Sequence, residues 1–220
     1  MGRKLALIAL GIVIAGMGLT AAVHAENIDK IQNRVKKGFA IAPVHLRYRK
    51  DIQGLVGYGS YLVNGPGGCV GCHTYPQYLN TAGDPFVSGD PSNPAINTTH
   101  YLGGGQCFGP FISRNITPDP ATGLPADLTL DNFITMMRTG MDEQCIVNPS
   151  NPICSLEPDS GGILQVMPWP AYHYMTNYDL KAVYYYLTAI PNSTPCNEIC
   201  NDGEPDYLNT PNCPNPAPPQ

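Results

Sequence analysis

Two cysteines and a histidine stand in the run Cys69-Val70-Gly71-Cys72-His73, and their order gives each a chemical task. Two thiols separated by two residues can reach one edge of a planar ring and add across its vinyl groups as thioethers. The imidazole that follows at once is carried to the metal at the centre of that ring. This is the pattern of covalent haem c attachment, and one such run implies one haem with His73 as an axial ligand of its iron. A thioredoxin-like redox pair would need a βαβ context, and half a zinc site would need a second ligand pair; neither is visible in the chain.

Six further cysteines, Cys107, Cys145, Cys154, Cys196, Cys200 and Cys213, form an even remainder in loop-rich sequence. In an oxidising compartment such a set reads as disulfides. No histidine lies at ligand spacing from any of them, which weakens the competing idea of a second metal site. Cys145 and Cys154 form a plausible local pair across the turn-rich Asn148-Pro149-Ser150-Asn151-Pro152. Cys196 and Cys200 are close together if helical, and either can pair with Cys213 or Cys107.

Three helical patterns stand ready to position the Cys69–His73 run. Gln53 to Val63 repeats apolar residues at helical spacing, and Gly59 inside it marks a close crossing with another helix, unless it is simple looseness. Leu130 to Thr139 places Leu130, Phe133, Ile134 and Met137 on one face, with Thr129 as N-cap and Gly140 as the stop. The third begins after Thr176, which makes a capping-box-like start with Asp179, and ends at Pro191. Of Tyr184, Tyr185 and Tyr186, one or two rings are expected to pack on the Gln53–Val63 helix, in preference to serving as electron-hopping sites. Between these elements the chain is rich in Pro and Gly, 23 of each, and only 13% of it is charged, so long irregular loops are expected around a mainly α core.

The ends carry different signals. Arg3 and Lys4, an apolar stretch from Leu5 to about Ala22 and Val23-His24-Ala25 before Glu26 read as a signal peptide, residues 1–25, cleaved after Ala25; an uncleaved anchor is the alternative. The expected compartment is therefore periplasmic or extracellular, with no membrane span after cleavage. Residues 26–50 read as a basic arm with Lys30, Arg34, Lys36, Lys37, Arg47, Arg49 and Lys50, whereas the remainder offers only Arg114, Arg138 and Lys181 against many carboxylates. Such an arm is either simply solvated or docks on an acidic partner surface, including another copy of this chain. Net charge −5 and export make nucleic acid a poor partner. The remaining divisions are a haem domain over 51–191 and a Cys/Pro-rich tail over 192–220.

From about Gly57 to Pro191 the chain resembles the class I cytochrome c family. More narrowly, it is similar to single-haem proteins and domains related to the cytochrome subunits of bacterial membrane-associated dehydrogenases. The matching residues are Gly59-Ser60-Tyr61-Leu62-Val63 before the Cys69–His73 run and Thr74, then Asn115-Ile116-Thr117-Pro118-Asp119 with Gly123, and Met136-Met137-Arg138-Thr139-Gly140. Met167-Pro168-Trp169-Pro170-Ala171-Tyr172 follows, leading to Asp179-Leu180-Lys181-Ala182-Val183 and Tyr186-Leu187. The resemblance implies a class I cytochrome c fold, about three core helices around one covalent haem, here with disulfide-stapled loops. It places Asn115–Asp119 near the haem edge. It also implies Met167 as the second axial ligand, a soft thioether that favours ferrous iron and raises the potential. Pro168 and Pro170 stiffen the Met167 loop. Met175, His173 and His100 are its rivals; Met136, Met137 and Met141 read as core or surface residues.

The expected function is one-electron transfer between redox partner proteins, without catalysis by the chain itself. An electron-outlet subunit of a dehydrogenase complex and a self-assembling extracellular cytochrome are the alternatives. An independent redox enzyme or ligand sensor would require an open sixth position, and no catalytic motif supports one. The extra cysteines, the single haem run and the tail depart from the dehydrogenase subunits and leave the partner open.

Overall fold

The computed structural model describes residues 29–75, 96–108, 111–150, 154 and 162–194. The signal-peptide reading, most of the C-terminal tail and Cys196, Cys200 and Cys213 lie outside these residues. Of Cys107 only the backbone is described. The described chain is mainly helical, with one two-stranded hairpin.

The core is built where α2 (Gln53–Asn64) crosses α7 (Asn177–Ala189). Val56 and Val63 of α2 and Leu180, Val183, Tyr186 and Leu187 of α7 are buried in one apolar cluster. Gly59 lets the two backbones approach: a Cβ there would overlap the Ala182 carbonyl oxygen and press on Tyr186 Cβ. The glycine therefore marks a crossing rather than looseness. Tyr58 Oη donates to Asp179 Oδ1 at 2.9 Å, which ties α2 to the first turn of α7. At that turn Thr176 and Asp179 form a complete capping box, satisfying backbone N–H groups that a helix start otherwise leaves orphaned.

Helix α4 (Leu130–Thr139) begins at Thr129, whose side chain accepts from Asn132 N, and ends at Gly140 in the left-handed region, φ 70°. Phe133, Met136 and Met137 are buried. Tyr184 packs its ring near Phe133, centroids 5.6 Å apart, and donates to Leu128 O at 3.0 Å. Of the three consecutive tyrosines, Tyr186 thus serves the α2 crossing and Tyr184 the α4 side.

The stretch read as a basic arm contains a helix, α1, over residues 29–41. Its contact face is narrow: Val35 and Phe39 meet Gly57 of α2, and a Cβ on Gly38 would overlap Gly57 O. Ser60 Oγ donates to Gly38 O at 2.7 Å. Lys30, Arg34, Lys36 and Lys37 remain exposed on the other faces, with the Arg34 guanidinium 6.0 Å from the centroid of Tyr61. The segment that follows returns along α7, where Arg47 N donates to Ala189 O at 2.8 Å. Two smaller helices, α5 (Glu143–Val147) and α6 (Trp169–Tyr172), complete the described body. No helix among the described residues is long and apolar enough to cross a membrane.

Candidate functional site

Helix α3 (Cys69–His73) is a single turn placed directly after α2 by a glycine-rich bend. Gly67 N donates to Leu62 O at 2.8 Å and Gly68 N to Gly65 O at 3.1 Å. Gly68 adopts φ 61°, a conformation glycine enters without steric cost, and this turns the chain sharply into Cys69. The two cysteines are the first and fourth residues of that turn and are not disulfide-bonded. Burial pushes the Cys69 thiol up to about 12 and raises Cys72 as well.

His73 is oriented by a hairpin. Thr74 leaves α3 extended and fully buried, its Oγ1 accepting from Leu102 N at 3.0 Å. Gly104 N donates to His73 O at 2.7 Å. The chain then turns through β1 (Cys107–Phe108) and β2 (Phe111–Ile112), paired Cys107 to Ile112 and Phe108 to Phe111, and returns as Arg114. There the Arg114 carbonyl meets His73 Nδ1 at 2.8 Å. A carbonyl can only accept, so Nδ1 carries the proton and Nε2 is the unprotonated nitrogen. Burial lowers the pKa of His73, favouring the neutral imidazole that binds metals. Gly104 has φ 78°, and a Cβ there would overlap the Arg114 carbonyl group, so glycine is required both by conformation and by space.

The segment that carries Met167 is held by bonds on both sides of it. Backbone bonds from Asp142 N to Gly162 O and from Leu164 N to Gly140 O draw the incoming strand-like segment alongside the end of α4. Met167 itself is partly buried against the core, as is Cys69. The following helix is pinned at three points. The Trp169 ring lies over Gly140, where a Cβ would overlap it. Tyr172 Oη donates to Gly67 O at 2.7 Å, joining the Met167 segment to the bend before Cys69. Arg138 donates to His173 O, to Met175 O at 2.8 Å and to Asn177 Oδ1 at 2.8 Å. Burial, assisted by the two nearby thiols, pushes the Tyr172 phenol up to about 12.

Among the rivals for Met167, Met175 is partly buried against the core. His173 is exposed, with Nδ1 on Arg138 O. His100 Nδ1 contacts Thr194 O at 2.8 Å. Met136 and Met137 are buried and Met141 is exposed. Asn115 bonds through Nδ2 to Ser193 O at 2.7 Å, and Thr117 Oγ1 accepts from Ser193 N, fastening the 115–119 loop to the chain just past α7. Cys145 and Cys154 form a disulfide, S–S 2.03 Å. Among the described residues no cluster of three or more His, Cys, Asp or Glu could hold a metal ion. The side chains that could hold an iron porphyrin include the Cys69 and Cys72 sulfurs and His73 Nε2.

Two parts of the site escape sequence reasoning. One is the buried polar knot near Cys69, in which Tyr101 Oη lies 2.5 Å from Asn64 Oδ1 and 2.8 Å from Tyr186 Oη, and Asn64 Nδ2 reaches Ser60 Oγ at 3.1 Å. The other is the set of contacts made by Arg114 and Arg138. Apart from the Asn64–Ser60 contact within α2, these join residues far apart in the chain.

The described residues thus combine a helical core with a Cys-x-x-Cys-His turn. No family model matches the chain, and no solved structure matches it. Over 133 residues, 60% of its length, it is 30% identical to the gluconate 2-dehydrogenase cytochrome c subunit of Pantoea cypripedii. Over 137 residues, 62% of its length, it is 28% identical to the cytochrome c subunits of the alcohol dehydrogenases (quinone) of Gluconacetobacter polyoxogenes and Komagataeibacter europaeus. The chain is therefore similar to cytochrome c subunits of dehydrogenases. It spans only 22–25% of the length of these curated relatives.

Proposed function

We propose that this chain is an exported single-haem c-type cytochrome of class I that passes one electron at a time between redox partner proteins. The observation that carries this reading is the setting of His73: its Nδ1 is held by the Arg114 carbonyl, which leaves Nε2 for iron, one residue after a pair of unbridged thiols. The donor set suits haem c: Cys69 and Cys72 would hold it through thioethers, and His73 and Met167 would be its iron ligands. When bound, that group supplies a reversible ferric–ferrous couple whose potential is set by the axial ligands and their hydrogen bonds. The chain's own contribution is to fix those ligands and to limit water. Pro168 and Pro170 restrict the Met167 loop, Tyr172 closes it on Gly67, and Arg138 holds its far end. With His73 and Met167 both bound to the iron, the protein would bind partners rather than substrates.

A second reading, the electron outlet of a dehydrogenase complex, is supported by the names of the relatives. In either case the chain serves an oxidoreductase without catalysing its reaction. The exposed lysines of α1 offer a basic surface for an acidic partner or a second copy of the chain.

The test is to express the full chain with haem-maturation machinery in a bacterial periplasm. The expected product carries one covalent haem by mass and by pyridine haemochrome spectrum, and cycles reversibly in a redox titration. Cys69→Ala with Cys72→Ala should abolish attachment. A wild-type product with no covalent haem would overturn the proposal.

A further inference from the structure

The Arg114 carbonyl that receives His73 Nδ1 belongs to a residue whose side chain is anchored elsewhere. The guanidinium donates through both terminal nitrogens to Asp142, at 3.0 and 2.6 Å, and one of them also contacts Glu143. Asp142 is nearly buried, 8% exposed, so its carboxylate depends on this partner and on Gln144 N, which donates to it at 2.9 Å. It is the N-cap of α5, and α5 carries Cys145, bridged to Cys154. Gly162, whose carbonyl accepts from Asp142 N at 2.6 Å, packs so closely on Cys145 that a Cβ there would lie 2.8 Å from its sulfur. A continuous mechanical path thus runs from the disulfide through the α5 cap and a bidentate ion pair to the acceptor of the His73 proton.

We propose that Arg114 is a positioning residue for the proximal ligand, and that the disulfide-stapled α5 loop, acting through Asp142 and Arg114, sets the strength of the His73 Nδ1–H hydrogen bond and with it the reduction potential. The proposal rests on the haem reading given above. Its physical basis is general: an imidazole that donates strongly through one nitrogen is a more basic ligand through the other. A more basic ligand favours ferric iron and holds the potential down. Gly104 packs against one side of the Arg114 carbonyl, and the ion pair fixes the side chain of the same residue, so the acceptor is held from two directions. Loosening the ion pair weakens the bond and raises the potential.

The experiment uses the full haem-loaded protein and two variants that leave the net charge unchanged. Arg114→Lys keeps the cation but loses the bidentate fork. The double change Cys145→Ser with Cys154→Ser removes the staple and keeps Arg114, Asp142 and Glu143, so the ion pair loses only its support; it decides the question if the first variant does not mature. Potentials are measured by redox titration. Exchange of the His73 Nδ1 proton with solvent is followed by NMR in the reduced protein. The expected result is a potential above wild type and at least tenfold faster Nδ1 proton exchange, while α2 and α7 amides exchange at wild-type rates. A merely structural role would speed the amides and leave the potential alone. A wild-type potential in both variants overturns the inference and leaves the electron-carrier reading standing. A wild-type protein with no covalent haem overturns that reading, and this inference falls with it.

Discussion

Gly59 of α2 faces the Ala182 carbonyl of α7 with no room for even a methyl group between them. Gly59→Ala therefore forces the two helices apart along the whole crossing, stripping contact from Val56, Val63 and Tyr186. Overpacking of this kind costs about 1–3 kcal/mol, offset only in part by the better helix propensity of alanine. Chemical denaturation of the haem-loaded protein should show a lower midpoint with little change in slope. A midpoint equal to wild type would mean that the crossing is looser than described.

Removing the Tyr172 hydroxyl detaches the Met167 segment from the bend before Cys69. Tyr172→Phe is expected to cost about 1 kcal/mol, the net worth of one such hydrogen bond. A pH signature accompanies it. Burial holds the folded phenol above its ordinary value near 10, so its contribution is present below about pH 10 and is lost as pH rises beyond that. Wild type minus Tyr172→Phe should shrink over that interval in urea-unfolding curves. A constant difference would show that the phenol proton plays no part.

Met167→Ala is expected to leave covalent attachment intact, to lower the reduction potential and to open a position for small ligands. The weak near-infrared sulfur-to-iron band of the oxidised protein should vanish with it. If that band survives in Met167→Ala and disappears in Met175→Ala, the ligand is Met175. If the wild type never shows it, a histidine such as His173 takes the place.

The Cys145–Cys154 bridge closes a short loop, a separation of nine residues. Loop-closure entropy for that length amounts to about 2–3 kcal/mol in the chain-entropy account. Reducing the bridge, or replacing both cysteines by serine, should lower stability by up to that amount. Mass spectrometry of the unreduced protein, with thiol alkylation, should find every cysteine outside the Cys69–Cys72 pair oxidised. Free thiols at most of these positions would remove the staple argument for the loops.

Elements with local chemistry at their ends were readable in advance. Thr129 and Gly140 bracket α4 as their types require, and Thr176 with Asp179 starts α7, because capping is a contest between neighbours in sequence. Gly59 was readable for a related reason: a glycine that weakens a helix has to be repaid by proximity. Helix α1 was not, since only Val35, Gly38 and Phe39 give it a contact face, and the surrounding lysines resemble a solvated tail. Helix α6 is four residues long and contains Pro170, too short to show a period. At the site, Cys69, Cys72 and His73 announce themselves by spacing. The groups that hold His73 do not, because Arg114 lies 41 residues from it and Asp142 a further 28 residues on. What such residues share is a place in space, which no run of adjacent letters records.

Trp169 is the only tryptophan in the chain, and its indole is seated on Gly140 at the start of the segment that follows Met167. The protein therefore carries a built-in fluorophore beside the loop that, in the proposed cytochrome, would supply the second axial ligand. A porphyrin held at Cys69 and Cys72 quenches a nearby indole by energy transfer. Recovery of emission then reports the moment the loop lifts away, and emission shifted to longer wavelength reports its arrival in water. Opening of that loop can be timed in the unmodified protein, without a label.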